Sequence, residues 1–144
     1  MSTPTPRQSD VATLDAILYA LYETVSGAVS QPRDWDRFRS LFLPGARLMP
    51  IVSIPGEKAS VRLLSTEDFI QRVEPIFAKE DFWERETSRK TETAGHFAHV
   101  LSFYESLRDP NGPPFEHSVN SVQLLNDGSR WWIVNLMWNT SRTA

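Results

Sequence analysis

The histidines are the side chains in this sequence whose type best suits proton transfer near neutral pH. The chain has three of them, and His99 lies in an alternating apolar segment that is typical of a β-strand. If that segment lines an apolar pocket, the His99 imidazole would act there as a general acid or base. We therefore take His99 as the candidate catalytic residue. The alternative interpretation is a histidine that is hydrogen-bonded within the core and has no chemical role.

Metal binding is another chemistry that the histidines suggest, because His96 and His99 have a spacing known from metal sites. On a strand, however, residues three apart point to opposite faces, so the two imidazoles would not share an ion. The sequence contains no cysteine, which excludes disulfides, thiolate metal sites and cysteine nucleophiles. We predict neither a metal nor a cofactor.

Three helices are predicted in the first half of the chain. The first has an apolar stripe at helical spacing and ends at Gly27. A short second helix follows Asp34, which is placed to cap it. The third begins at Ser65, with Asp68 three residues later as in a capping box, and Pro75 is expected to kink or restart it. The stripe of the first helix consists of Val11, Leu14, Leu18, Leu21 and Val25.

About six strands are predicted from alternation and turn residues, and the last four follow one another as a meander. Their sequences are ARLMPIVSI, KASVRLL, WERETSRKTET, FAHVLSFYESL, FEHSVNSVQLL and SRWWIVNLMWN. This order predicts an α+β fold in which three helices cover one face of a curved mixed sheet. A two-residue turn at Asp127 and Gly128 would pair Leu124 with Trp131.

Composition and charge are those of an ordinary globular domain. The chain has 144 residues, of which 40% are hydrophobic, and a formal net charge of −3, so we expect one domain over residues 10–144. Residues 1–9 are rich in Pro, Thr and Ser and are predicted to form a disordered tail. No basic face and no apolar run of about 20 residues is evident, which argues against nucleic-acid and membrane partners. The N-terminus lacks the pattern of a signal peptide, so we expect a cytoplasmic protein.

Four segments carry a resemblance to a known fold family. They are DWDRFRSLFLPGARL, STEDFI, GHFAHVLSFYES and SVQLLNDGSRWWIVNLMW. In order and spacing they resemble the nuclear transport factor 2-like (NTF2-like) superfamily, the cystatin-like cone that also includes ketosteroid isomerases and SnoaL-like polyketide cyclases. The resemblance implies a sheet that wraps around the long first helix and encloses an apolar pocket, with the charged segment Trp83–Thr93 as an edge strand. Many members of the superfamily dimerise through the outer face of this sheet.

The resemblance also implies which side chains point into the pocket. One face of the last strand, with Trp132, Val134, Leu136 and Trp138, would point inward. Besides His99, the predicted ligand-pocket residues are Tyr22, Phe103, His117, Ser121, Leu136 and Trp138. The outer face would bind a second copy of the chain through Val122, Leu124, Trp131, Ile133 and Met137.

The ketosteroid-isomerase branch uses an aspartate base, an acid on the penultimate strand and a tyrosine on the first helix. By alignment the base falls near Pro50, where this sequence has no carboxylate, and the acid falls near Ser121. Tyr22 matches the tyrosine only if an insertion is allowed in the following loop. Proton shuttling of that type needs a carboxylate beside the substrate carbon, so we do not expect this specific chemistry.

The sequence is therefore compatible with three functions of different classes. The first is a small-molecule-binding domain of unassigned specificity, whose apolar pocket takes a small apolar molecule. The alternative is a cofactor-independent lyase, isomerase or cyclase that acts on a small apolar or cyclic substrate. A third is a module that only forms homodimers. The missing carboxylates favour binding, whereas the resemblance and a histidine in the expected pocket favour catalysis.

Overall fold

The computed structural model describes residues 3–140, in which helices precede and interrupt the first strands and a run of strands follows. The helices are α1 (Gln8–Val11), α2 (Leu14–Val25), α3 (Trp35–Arg39) and α4 (Thr66–Phe77). The strands are β1 (Phe42–Val52), β2 (Ser60–Val61), β3 (Trp83–Ala94), β4 (Phe97–Leu107), β5 (Pro114–Asn126) and β6 (Trp131–Asn139). None of these helices is both long enough and apolar enough to cross a membrane.

The first predicted helix is divided into two at Thr13. The Thr13 side chain accepts a hydrogen bond from the backbone N–H of Ala16 at 3.0 Å, which satisfies one free donor and starts α2. The shorter α1 precedes it and begins at Gln8. It therefore overlaps the predicted tail of residues 1–9, of which residues 1 and 2 lie outside the described part of the chain.

The other helices begin as their sequences predict. At α3, the Asp34 side chain accepts from the N–H of Arg37 at 3.0 Å. At α4, Ser65 and Asp68 form both hydrogen bonds of the predicted capping box. The helix then continues through Pro75 as one element. These caps place the apolar side of α4 over the sheet.

The strands form one mixed sheet in the order β2-β1-β6-β5-β4-β3. β3, β4, β5 and β6 pair antiparallel in chain order, which confirms the predicted meander. β1 joins β6 in parallel and carries β2 on its other side. The predicted α+β fold with a curved mixed sheet is confirmed, and β3 is an edge strand.

The hydrophobic core lies between the helices and one face of this sheet, which we call the inner face. On β4 and β5 the inner face carries the even-numbered side chains from Ala98 to Ser106 and from Glu116 to Leu124. α2 packs its predicted stripe against that face, with Leu18, Leu21 and Val25 buried. The buried apolar residues of the sheet that meet α2 include Val100, Val122, Leu124, Ile133 and Leu136.

The β5–β6 hairpin has a longer turn than predicted. Asn126 pairs with Trp131, so four residues connect the strands. The Asp127 carboxylate holds them by accepting from the backbone N–H groups of Ser129 and Arg130 at 2.8 and 3.0 Å. These side-chain hydrogen bonds stabilise the longer turn in place of the predicted two-residue one.

A β-bulge at Val134 reverses the faces of β6 halfway along the strand. Leu124 pairs with Ile133, whereas Gln123 pairs with Asn135, so Val134 is the extra residue. The inward side chains are consequently Trp131 and Ile133 before the bulge and Leu136 and Trp138 after it. The prediction of a single alternating face is wrong for the first half of β6, because one inserted residue shifts the alternation of side chains.

The inward face of β4 and the predicted outer patch are also corrected. Ala98, Val100 and Ser102 are fully buried, so the intervening positions, with His99 and Phe103, lie on the opposite, outer face. Apolar residues occur on both faces of β4, so its sequence does not determine which face points inward. The packing of α2 determines it. Of the predicted outer patch, Val122, Leu124 and Ile133 are buried in the core and Trp131 packs against it.

Candidate functional site

A cavity of about 520 Å³ opens between α4, the end of α2 and the inner face of the sheet. Its wall is largely apolar and aromatic. The capped helix α4 supplies one side, and the segment before β3 is held to the end of α2 by backbone hydrogen bonds of 2.7 and 3.1 Å between Gly27 and Phe82. The residues that make most of this wall include Leu21, Phe69, Phe77, Phe82, Leu136 and Trp138.

Four polar side chains of the inner face also line the cavity. They are Glu84 from β3, Tyr104 from β4, and Glu116 and Asn120 from β5. Strand register places them close together: Glu84 pairs with Ser106, and Ser106 pairs with Glu116 on the other side. An apolar cavity with a few convergent polar groups is the usual form of a small-molecule site.

Glu84 has the most unusual environment of these groups. Ser26, the residue after α2, fixes its backbone by accepting its N–H at 3.0 Å. Within residues 3–140 no group forms a hydrogen bond or ion pair with its carboxylate. Burial in the apolar cavity, with a smaller contribution from the negative charge of Glu116, raises the pKa of Glu84 to about 8. The carboxyl group is therefore mostly protonated at neutral pH and ionises just above it.

A chain of hydrogen bonds runs from the cavity to β3. Asn120 donates to the Tyr22 hydroxyl at 3.1 Å, the hydroxyls of Tyr22 and Ser102 are 2.7 Å apart, and Ser102 donates to Glu86. Since Ser102 uses its hydrogen on Glu86, Tyr22 donates to Ser102. Burial raises the pKa values of Tyr22 and Tyr104, so both phenols are neutral at physiological pH.

The predicted pocket residues fall into three groups. Leu136 and Trp138 line the cavity. Tyr22 lies next to it, joined to the cavity wall through Asn120. His99, Phe103, His117 and Ser121 are on the outer face, and their predicted position in the cavity is corrected.

On that outer face two of the three predicted polar residues contact each other. His99 Nε2 lies 3.0 Å from Ser121 Oγ. His117 is mostly exposed, and its Nδ1 is 4.0 Å from a Glu105 oxygen. Because none of these side chains reaches the cavity, nothing supports the predicted role of His99 as its acid or base.

The sequence analysis missed Glu84, Tyr104, Glu116 and Asn120. Glu84 belongs to a strand so rich in charge that the charge was attributed to edge protection. Nothing in its local pattern distinguishes it from Glu92 on the same strand, which is exposed. No local signal would have found it, since its environment is made by other strands and helices.

Within residues 3–140 no three or more His, Cys, Asp or Glu side chains are grouped so that they could hold a metal ion. The candidate site consists of the cavity and the four polar side chains that the inner face of the sheet contributes to it.

No protein-family model matches the sequence, and no curated protein matches it. Solved structures do match. A cystatin-like protein from Nostoc punctiforme superposes with a TM-score of 0.63 at 9% identity, over 90% of this chain and 92% of that one. An NTF2-like protein from Pseudomonas putida gives a TM-score of 0.64 at 8% identity, over 88% of this chain and 82% of that one.

A third similar structure is the hexachlorocyclohexane dehydrochlorinase LinA-type3 from Novosphingobium barchaimii. It gives a TM-score of 0.63 at 13% identity and covers 92% of this chain and 87% of that one. At these identities the likeness is one of fold alone, so the chain has a cystatin-like, NTF2-like cone fold.

Proposed function

We propose that the protein binds a small, largely apolar molecule in the cavity between α4 and the sheet. The observation that carries this proposal is the cavity itself: about 520 Å³ lies within the range of roughly 300–1,000 Å³ typical of small-molecule sites. Its aromatic wall would bury the apolar part of a ligand. Glu84, Tyr104 and Asn120 would orient the ligand by hydrogen bonds from one side.

A pair of matched substitutions tests this proposal. Val73 on α4 lines the cavity, whereas Val134 lies on the outer face. Val73→Phe should narrow the cavity and weaken the binding of a bicyclic probe such as 1-naphthylmethanol, and Val134→Phe should leave it unchanged. Titration calorimetry measures both. Equal affinity in all three proteins, or no binding to the wild type, would contradict the proposal.

Catalysis is the second candidate function, as a cofactor-independent lyase, isomerase or cyclase. The observation that favours it is Glu84, whose pKa of about 8 suits a group that takes or gives a proton near neutral pH. An ionised carboxylate in an apolar cavity is a stronger base than one in water, because little solvent stabilises its charge. Tyr104, a neutral phenol, would donate a hydrogen bond to a developing oxyanion.

A generic proton-abstraction reaction tests the second candidate. In 5-nitrobenzisoxazole, a base removes the proton on carbon 3, those C–H electrons complete a nitrile, and the N–O bond breaks to release a coloured phenolate. The rate with wild-type protein should rise with pH through the ionisation of Glu84. It should be lost in Glu84→Gln and kept in Glu92→Gln, whereas an equal rate in Glu84→Gln would dismiss Glu84 as the base.

We also propose that two copies of the chain associate through the outer face of β4, β5 and β6. What supports this is a set of half-buried apolar side chains that no helix covers. Phe103 pairs with Val119 across the strands, and Leu101 and Met137 both pair with Ser121. This set replaces the patch predicted from the sequence.

A further inference from the structure

Two carboxylates of the inner face line one end of the cavity. Glu84 on β3 and Glu116 on β5 flank Ser106 of β4 in the strand register. Their backbones are two strand spacings apart, about 10 Å, so both side chains can reach a group held between them. Within residues 3–140 neither carboxylate forms a hydrogen bond or an ion pair.

The other partly buried acids of the protein are paired with arginine. Arg37 binds two of them, Asp10 and Glu23, and each of the others has its own partner. The further pairs are Glu67 with Arg39, Glu86 with Arg89 and Glu105 with Arg85. The glutamates that lack a partner elsewhere are exposed, namely Glu57, Glu74 and Glu92. Glu84 and Glu116 are the exception, since neither has a partner among the described residues. Glu84 avoids an unpaired buried charge by remaining mostly protonated at neutral pH.

Ser106 provides an independent sign that this end of the cavity is incomplete. The residue is 1% exposed, and its Oγ has no hydrogen-bond partner. Buried hydroxyl groups almost always have one. Ser106 lies on the inner face between the two glutamates in the strand register. It is not itself part of the cavity wall, so an unpaired polar atom adjoins this end of the cavity.

Aromatic rings adjoin the same end. Phe82 precedes β3 by one residue, Phe115 precedes Glu116, and the two ring centroids are 6.3 Å apart. Both rings line the cavity. The Arg108 guanidinium already lies 4.2 Å from the centroid of Phe115, so this ring takes a cation against its face. Carboxylates combined with aromatic rings are the surroundings that an organic ammonium group favours.

We propose that this end of the cavity binds a protonated primary amine, whose apolar remainder lies along the aromatic wall. The proposal rests on the proposed binding function and specifies its ligand class. The ammonium group would donate its hydrogens to the carboxylates of Glu84 and Glu116. It would supply the one charge that the other acids of the protein obtain from arginine.

Binding of a cation would change the protonation of the site. Glu84 is mostly protonated at neutral pH, so the ammonium group would displace its proton, and affinity should rise with pH until Glu84 is ionised or the amine itself loses its proton. The other groups that act on this site are Glu86 beside it on β3, Tyr22 and Tyr104 behind it, and Arg72, Lys79, Glu80 and Arg108 at the rim of the cavity.

Three probes of one shape and different charge test the proposal. They are 1-naphthylmethylamine, 1-naphthylmethanol and 1-naphthoate, titrated by calorimetry into the wild-type protein. The amine should bind at least about tenfold more tightly than the alcohol, the equivalent of one charge-assisted hydrogen bond. Its apparent binding enthalpy should differ between buffers of different ionisation enthalpy, because a proton is released.

Matched variants assign the preference to the carboxylates. Glu84→Gln should remove most of the preference for the amine over the alcohol and all of the proton release. Glu116→Gln should reduce the preference, and Glu92→Gln, an exposed glutamate of the same strand, should leave it unchanged. Two carboxamide variants are used so that poor folding of one does not decide the result.

The outcomes separate this inference from the function on which it rests. If amine and alcohol bind equally, the amine site is wrong but the binding cavity stands. If the naphthoate binds most tightly, the basic side chains at the rim select the ligand and the amine site is wrong. If none of the probes binds, the cavity proposal fails together with the amine site.

Discussion

Asn120 on β5 donates an amide hydrogen to the hydroxyl of Tyr22 on α2 across 3.1 Å. Through Ser102, this bond extends to Glu86, so one buried path ties α2 to three strands of the meander. Each donor along the path has an acceptor. This path therefore contrasts with the neighbouring end of the cavity, where the carboxyl group of Glu84 has no hydrogen-bond partner among the described residues.

Tyr22→Phe should destabilise the protein by about 1–3 kcal/mol. The variant keeps the ring but leaves the buried amide of Asn120 without an acceptor and Ser102 without a donor. Urea unfolding measures the change in the free energy of unfolding. Tyr19→Phe is the matched control, because Tyr19 on the same helix is 66% exposed and its substitution should cost no more than about 0.5 kcal/mol. Equal effects would show that the path contributes little.

Glu84→Gln should make stability less dependent on pH. The folded protein holds the pKa of Glu84 at about 8, whereas an unfolded glutamate has a pKa of about 4.3. Between these values the unfolded chain has lost a proton that the folded protein keeps, so the free energy of unfolding of the wild type falls as pH rises. The Glu84→Gln variant has no carboxyl group at this position, so its free energy of unfolding does not fall with pH for this reason.

At pH 8 the Glu84→Gln protein should therefore be more stable than the wild type, by about 2 kcal/mol after allowance for partial solvent contact, and near pH 4 the two should be equal. Urea titrations at several pH values give the comparison. Glu92→Gln should follow the wild type throughout. A Glu84→Gln protein that is less stable than the wild type at pH 8 would mean that the carboxylate is well solvated.

Ile133→Ala and Val134→Ala should lower the free energy of unfolding by very different amounts, although the two residues are adjacent. Ile133 is fully buried in the core, so its truncation should cost about 2–5 kcal/mol. Val134 is the bulge residue on the outer face, and its truncation should cost less than about 1 kcal/mol. Thermal and urea unfolding measure both. A larger loss of stability in Val134→Ala than in Ile133→Ala would instead support the sequence prediction, in which Val134 points inward and Ile133 outward.

Arg37→Met should destabilise the protein by about 3 kcal/mol, because it leaves the buried carboxylate of Asp10 without its counter-ion. Arg37 donates to both oxygens of Asp10 at 2.9 Å and also to Glu23. In contrast, Arg7→Met should change stability by less than about 1 kcal/mol, since the ion pair of Arg7 with Asp34 is exposed and 3.7 Å long.

The same arginine should also contribute to acid sensitivity. Hydrogen bonds from Arg37 lower the pKa values of Asp10 and Glu23. Their contribution is complete above the unfolded pKa values of about 4 and is lost as pH falls through the lower folded values. The difference in stability between wild type and Arg37→Met should therefore shrink in acid, and a constant difference down to pH 2 would contradict the assignment.

Val119→Glu should separate the proposed dimer into monomers. Val119 lies opposite Phe103 on the outer face, where a carboxylate would lose its water on association. Val61→Glu is the control, because Val61 is exposed on the short edge strand β2. Sedimentation at micromolar concentration should show a dimer for the wild type and for Val61→Glu only. A monomeric wild type would rule the dimer out.

Local sequence was sufficient for the elements and for their order. The apolar stripe from Leu14 to Val25 and the capping box of Ser65 and Asp68 each depend on side chains within a few residues of one another. The strand meander likewise follows from alternation and from turn residues. Such short-range preferences act in the unfolded chain and in the folded protein alike, and they predicted the α+β order of the elements. The cone shape was implied by the resemblance to a known fold family.

Tertiary structure alone decided which way the strands face and where the candidate site lies. β4 offers Val100 on one face and Leu101 on the other, and only the packing of α2 selects between them. The chemistry of Glu84 depends in the same way on burial in the cavity and on Glu116, 32 positions further along the chain. Desolvation and charge repulsion act through space between strands, so a carboxylate that looks like a solvated edge residue in the sequence becomes the most perturbed acid of the cavity.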